Sequence, residues 1–215
     1  MNRVSIIGFI LLAAIYWTSL WLDPIPYIWI AKFTPMLIAA ALVWRRLAAL
    51  AGPILAIGFV AAAGGDLFLA LDRGDYFTAG LACFLVTQIA YSVAFLGRRH
   101  GFLARWPWWL PVVAIGLGMF ILLRPGLGDS LIPVTIYIAA LITMAVSASL
   151  VEARPGRIYA GAVLFVISDA LIGIDRFLGS FEHSLKLIIA SYFIAQFLIL
   201  TGALRAFPTR NTNAP

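Results

Sequence analysis

Two aspartates stand inside runs of apolar residues: Asp66 in GGDLFLALDR (64–73) and Asp169 in ISDALIGIDR (167–176). An ionisable group at such a position is costly in lipid and as a rule faces a protein interior or a water-filled cavity. Two carboxyl groups in different surroundings can divide acid and base work. One holds a proton while the other stays ionised, as in glycoside hydrolysis, where an oxocarbenium ion forms. Lys32, Gln88, Tyr137 and Tyr192 are the hydrogen-bonding side chains in other apolar runs that could share such a site. Each has a purely structural alternative. Lys32 can extend its head to the membrane interface, Tyr137 and Tyr192 can be packed aromatics with one hydrogen bond, and Gln88 can bond a neighbouring helix. The aspartates themselves can pair with lysine or backbone.

Other chemistries find little support. The two histidines, His100 and His183, are expected on opposite sides of a membrane, and Cys83 is the single cysteine, so no metal site is expected. There is no G-x-S-x-G elbow, neither histidine lies at the depth of Ser168, and no phosphate-binding glycine loop occurs. No cofactor is expected, and carboxylate chemistry remains.

The elements that must position these groups follow from composition. The chain has 215 residues, 63% apolar and 11% charged, and a mean hydropathy of +1.02. Apolar runs of about 18 to 22 residues, each long enough to cross a hydrocarbon core of about 30 Å, follow one another. They fall near 4–22, 27–44, 52–71, 77–96, 106–123, 130–150, 157–178 and 183–205. The expected fold is all-α, a polytopic bundle of eight transmembrane helices, with residues 1–206 as one domain and 207–215 as a polar, disordered tail. The first run continues to Trp21 without a soluble domain after it, so it reads as a retained helix, not a cleaved signal.

Basic residues fall on alternate connections. Arg3, Arg45, Arg46, Arg98, Arg99, Arg105, Arg154, Arg157, Arg205 and Arg210 lie on one side; Arg73, Arg124, Arg176 and Lys186 lie on the other, with Asp23, Asp72, Asp75, Asp129 and Glu182. This asymmetry orients a chain with its arginines inside and places both termini in the cytoplasm, with a bacterial inner (plasma) membrane as the expected location. A solvated arginine face accounts for the net charge of +6, and no nucleic-acid partner is expected.

The two aspartate stretches share D-x5-D-R, matching Asp66, Asp72 and Arg73 to Asp169, Asp175 and Arg176. They lie on the third and seventh spans, which run the same way, and fit a four-plus-four architecture of parallel repeats. Measured from the outer surface, Asp66 and Lys32 are about five residues deep. Tyr137 is about seven, Asp169 and Tyr192 about eight or nine, and Gln88 about eleven. At ~1.5 Å per residue these depths overlap within roughly 10 Å. One polar chamber open to the outer leaflet would hold them, continued by an apolar slot past Phe68, Phe84 and Phe165.

Several local patterns together resemble the YhhN-like lysoplasmalogenase family of eight-helix membrane proteins. They are KFTP (32–35), GGDLFL (64–69), Y-x-x-A-F from Tyr91 to Phe95, PVTIY (133–137), GAVLFVISDALI (161–172) and Y-x-x-x-Q from Tyr192 to Gln196. The resemblance implies hydrolysis of the vinyl ether bond of a lysoplasmalogen, with Asp66 and Asp169 as catalytic carboxyls. Lys32, Gln88, Tyr91, Tyr137, Ser168, Tyr192 and Gln196 are then expected to bind the lysophospholipid substrate within surrounding membrane lipid. One departure stands out. The family often carries histidine where this chain has Gln88, and an amide hydrogen-bonds without carrying a proton. The alternative reading is a transporter or lipid-binding protein that holds a headgroup in the same chamber without cleaving it. Nothing in the sequence specifies an oligomer.

Overall fold

The computed structural model describes residues 3–48, 50–72, 74–97, 101–151 and 156–210. Among them are eight α-helices: α1 Arg3–Ser19, α2 Trp29–Arg46, α3 Ala51–Leu71, α4 Phe77–Leu96, α5 Trp106–Leu123, α6 Leu131–Ser149, α7 Arg157–Phe177 and α8 Ser184–Ala206. An apolar run in lipid must satisfy its backbone within itself, which is why the eight hydropathic runs and the eight helices coincide to within a few residues. The main difference is at the end of α1. The N–H groups of Leu20, Trp21 and Leu22 donate to the carbonyls of Trp17, Thr18 and Ser19 at 3.1–3.2 Å. That tightened turn stops the helix ahead of Asp23-Pro24, where the residue before proline disfavours helix.

Six helical segments are long and apolar enough to cross a membrane: Ala51–Leu71, Phe77–Leu96, Leu103–Gly126, Gly128–Ser149, Arg157–Phe177 and Ser184–Ala206. Val4–Ser19 is a shorter apolar helix, and α2 carries Lys32, Arg45 and Arg46 among its 18 residues.

The chain divides into two compact units, Met1–Ala94 with Ala203–Pro215, and Phe95–Gly202. In the first, α2 packs on both α1 and α3. The α3–α4 seam is built on glycine: a Cβ placed on Gly58 would stand 2.6 Å from Tyr91 Cε1, and one on Gly65 would stand 2.7 Å from Phe84 Cε2. The two glycines are about two turns apart on one face, so the neighbouring helix approaches closely along that stripe. The hydroxyl of Thr87 on α4 donates to Gly58 O at 3.1 Å and stitches the same seam.

In the second unit α6 packs on α5 and α7, and α5 also meets α7. The α7–α8 contact is closer still, because each helix sets a glycine against the other's backbone. A Cβ on Gly161 would stand 2.7 Å from Ala195 O and 2.9 Å from Ile199 N, and one on Gly202 would stand 2.8 Å from Ile158 N. Backbone cannot rotate aside as a side chain can. Gly161→Ala is therefore expected to destabilise the protein by about 1–3 kcal/mol, the range for overpacking. Gly118→Ala on α5, where a Cβ meets nothing within 4 Å, is expected to be neutral or to stabilise by up to ~1 kcal/mol, since alanine is the better helix former. Thermal unfolding in detergent reads both; a Gly161→Ala protein as stable as the parent would contradict the packing.

One expectation is corrected. Arg105 is not on a solvated face: it is 7% exposed, and its Nη1 donates to Ser149 O at the end of α6 at a long 3.5 Å. A cation there meets the negative end of the helix dipole. Beyond α8, residues 208–210 pair with the turn between α2 and α3. Ala48 N donates to Pro208 O, and Arg210 N donates to Arg46 O, each at 2.8 Å. Phe207 is buried. Arg73, Arg98, Arg99, His100, Arg154 and residues 211–215, which entered the charge, histidine and tail readings, lie outside the described residues, as does the side chain of Arg3.

Candidate active site

In the second unit, Asp169 sits about two turns before the end of α7 and is 8% exposed. The Tyr137 hydroxyl, on α6, donates to its Oδ2 at 2.6 Å. Tyr137 is itself 7% exposed, so this is a carboxyl–phenol bond made away from water, where each hydrogen bond is electrostatically stronger. Ser168, the residue before Asp169, is fully buried and donates to Ile188 O on α8 at 3.1 Å, which adds a polar tie to the glycine contact between those helices. One turn before Asp169, Phe165 meets Tyr192 of α8 edge to face, with ring centroids 5.9 Å apart. Gln196, one turn beyond Tyr192, is fully buried.

In the first unit, Asp66 on α3 is 2% exposed and Lys32 on α2 is 4% exposed. The antiparallel α2–α3 pair is registered at its turn, where a Cβ on Gly52 would stand 2.8 Å from Leu47 O and 3.2 Å from Val43 O. Counting away from that point at ~1.5 Å per residue along both helices brings Lys32 and Asp66 to the same level. Pro35, one turn after Lys32 and inside α2, has no N–H for the carbonyl of Ala31. Gln88 and Tyr91 on α4 are fully buried, and Tyr91 lies edge-on to Phe59 at 5.3 Å. Thr87 beside Gln88 went unread in the sequence. Its signal was a hydroxyl in an apolar helix, which usually bonds a backbone carbonyl.

The second aspartates of the D-x5-D-R pattern hold turns. Asp72 Oδ1 accepts the N–H of Asp75 at 3.0 Å, and the backbone N–H groups of Asp75 and Gly74 hold its carboxyl below the usual carboxylate range. Asp175 Oδ1 accepts the Ser180 hydroxyl at 2.6 Å. Among the described residues, no three His, Cys, Asp or Glu side chains cluster as metal ligands would. Two open grooves on the second unit, of about 560 and 400 Å³, include neither Asp66 nor Asp169.

Long apolar helices with aspartate, lysine and glutamine buried among them define an all-helical integral membrane protein. The chain belongs to the YhhN family, whose model matches residues 27–203, more than half of its length. It is similar to curated proteins named lysoplasmalogenase. One is TMEM86A from Bos taurus, 32% identical over 70% of this chain and 65% of the relative. Another is from Mycobacterium bovis, 33% identical over 80% of this chain and 70% of the relative. A third is TMEM86B from Homo sapiens, 30% identical over 92% of this chain and 85% of the relative. The chain thus spans 65% of the length of the Bos taurus relative. No solved structure matches it.

Proposed function

We propose that this chain is a membrane-embedded lysoplasmalogenase that hydrolyses the vinyl ether bond of a 1-alkenyl lysophospholipid to a fatty aldehyde and a glycerophospho-alcohol. The observation that carries the reading is the pair of buried aspartates, Asp66 and Asp169, in a chain whose relatives bear that name. A carboxylic acid gives its proton to the vinyl carbon remote from oxygen. The carbon bonded to oxygen then becomes an oxocarbenium ion, which the second carboxylate stabilises. Water adds to that ion and returns a proton to the first carboxylate, and the hemiacetal formed breaks to aldehyde and alcohol. One water is consumed and no redox change occurs. Lys32, Gln88, Tyr91, Ser168, Tyr192 and Gln196 complete the site in this reading by holding the phosphorylated head and the ether oxygen, with Tyr137 against Asp169.

The same reading has all eight helices crossing the membrane, with both termini on the cytoplasmic side of a bacterial plasma membrane. The alternation of arginine-bearing connections supports it, and a reporter fused after residue 75 that reads as cytoplasmic would reverse the orientation. A parallel four-plus-four repeat is part of it as well. The frame that aligns Asp66 with Asp169 also aligns Gly58 with Gly161. Each of these glycines receives the helix that follows its own, and α3 and α7 are both 21 residues long.

The direct test is incubation of the purified protein with a 1-alkenyl lysophospholipid. Aldehyde release proportional to protein is expected. Binding of the lipid without aldehyde would favour a transporter or lipid carrier.

A further inference from the structure

The Tyr137–Asp169 contact reaches further than a place in the lining of the site. We infer that Asp169 is the carboxyl that delivers the proton, and that Tyr137 is its positioning residue, acting through the carboxyl and not on the lipid. The inference rests on the proposed vinyl ether hydrolysis and deepens it.

The argument starts from geometry. The phenol donates to Oδ2 at 2.6 Å, short even for an O–H···O bond, between two residues each less than a tenth exposed. Both ends are anchored. Tyr137 sits on α6, which packs on α7, and α7 is pinned to α8 one residue before Asp169 by the Ser168–Ile188 bond and two turns earlier by Gly161. A carboxyl held at one oxygen has its plane fixed, and proton transfer to carbon is sensitive to the angle at which the acid approaches.

The energetics point the same way. A hydroxyl bonds a carboxylate about twice as strongly as it bonds a neutral carboxyl. If Asp169 is the donor, the Tyr137 bond strengthens as the proton leaves, and an interaction stronger in the transition state than in the ground state appears in kcat. If Asp169 were the permanently ionised group that faces the cation, its charge would be drawn toward the cation as the reaction proceeds. The phenol bond would then weaken, and removing it would leave kcat unchanged or raise it.

The test is Tyr137→Phe, which removes one oxygen and keeps the ring, read with a 1-alkenyl lysophospholipid beside Asp169→Asn and the double variant. Expected are an unfolding temperature close to that of the parent, a kcat lower by about tenfold, and a KM within about twofold of it. In the Asp169→Asn background, Tyr137→Phe should cost nothing more, because its effect passes through the carboxyl that is already lost. A higher KM at unchanged kcat would make Tyr137 a substrate contact and overturn the inference. So would an undiminished kcat, full additivity in the double variant, or a Tyr137→Phe protein that does not fold. Failure of the proposed function looks different: the parent protein itself releases no aldehyde.

Discussion

Asp66→Asn and Asp169→Asn are each expected to leave a folded protein whose aldehyde release is slower by a factor of about 10² or more, the scale for loss of a positioned acid or base. Asparagine keeps the shape of aspartate and its capacity to hydrogen-bond. For Asp169 the amide oxygen can still accept from the Tyr137 hydroxyl, which now reaches Oδ2 at 2.6 Å. What asparagine cannot do is release a proton to carbon or neutralise a cation. A factor of 10² corresponds to about 2.7 kcal/mol of transition-state stabilisation. Asp66 carries a further consideration, since Lys32 lies at its level on the adjacent helix and is also buried. A buried lysine is costly where a carboxylate near it is lost, so monodispersity and unfolding temperature are read along with turnover. Asp72→Asn and Asp175→Asn are the comparison. These residues hold exposed turns through Asp75 N–H and the Ser180 hydroxyl, and their loss should change turnover by less than about threefold, far below the scale for a catalytic group. Near-normal release from either buried variant removes that aspartate from the chemistry.

The second large effect is isotopic and close to all-or-none. Hydrolysis in heavy water is expected to place one deuterium on the carbon next to the aldehyde, because the proton delivered to that carbon comes from a carboxyl in exchange with solvent. Vinyl ether cleavage that begins with protonation at carbon leaves this mark, whereas cleavage at phosphorus or at an ester leaves the alkenyl chain untouched. Free aldehydes exchange the same hydrogen slowly, so the product is reduced to the alcohol as it forms and the label is read by mass. Aldehyde without deuterium at that carbon would show that it does not arise by hydrolysis of the vinyl ether.

Much of the scaffold could be read from residue types alone. Eight apolar runs became eight helices because a long apolar segment has few other ways to satisfy its backbone. Where Asp23-Pro24 competes, at the end of α1, hydropathy could not show that the last apolar residues leave the helix as a turn. The candidate site divides in the same way. Depth along each helix follows from counting, and it set Tyr137 close to the level of Asp169. Which way each side chain points around its helix depends on which helices are neighbours, so the Tyr137–Asp169 bond and the Ser168–Ile188 bond were out of reach. The glycines show the limit most clearly. Gly161 stands in the motif quoted for the family, but only the contact with Ala195 and Ile199 backbone explains why a hydrogen atom is the largest side chain that fits. Arg105 was read as a surface charge because counting charges by connection ignores the helix ends they meet.

The pairing of residues 208–210 with residues 46–48 has a consequence for how the protein is made. The first unit draws its residues from both sides of the second, Met1–Ala94 before it and Ala203–Pro215 after it. A ribosome therefore delivers α1 to α4, then the second unit, and only then the segment that seals the turn between α2 and α3. During synthesis the carbonyl of Arg46 waits for a donor that is not yet made, so the first unit begun is the last completed.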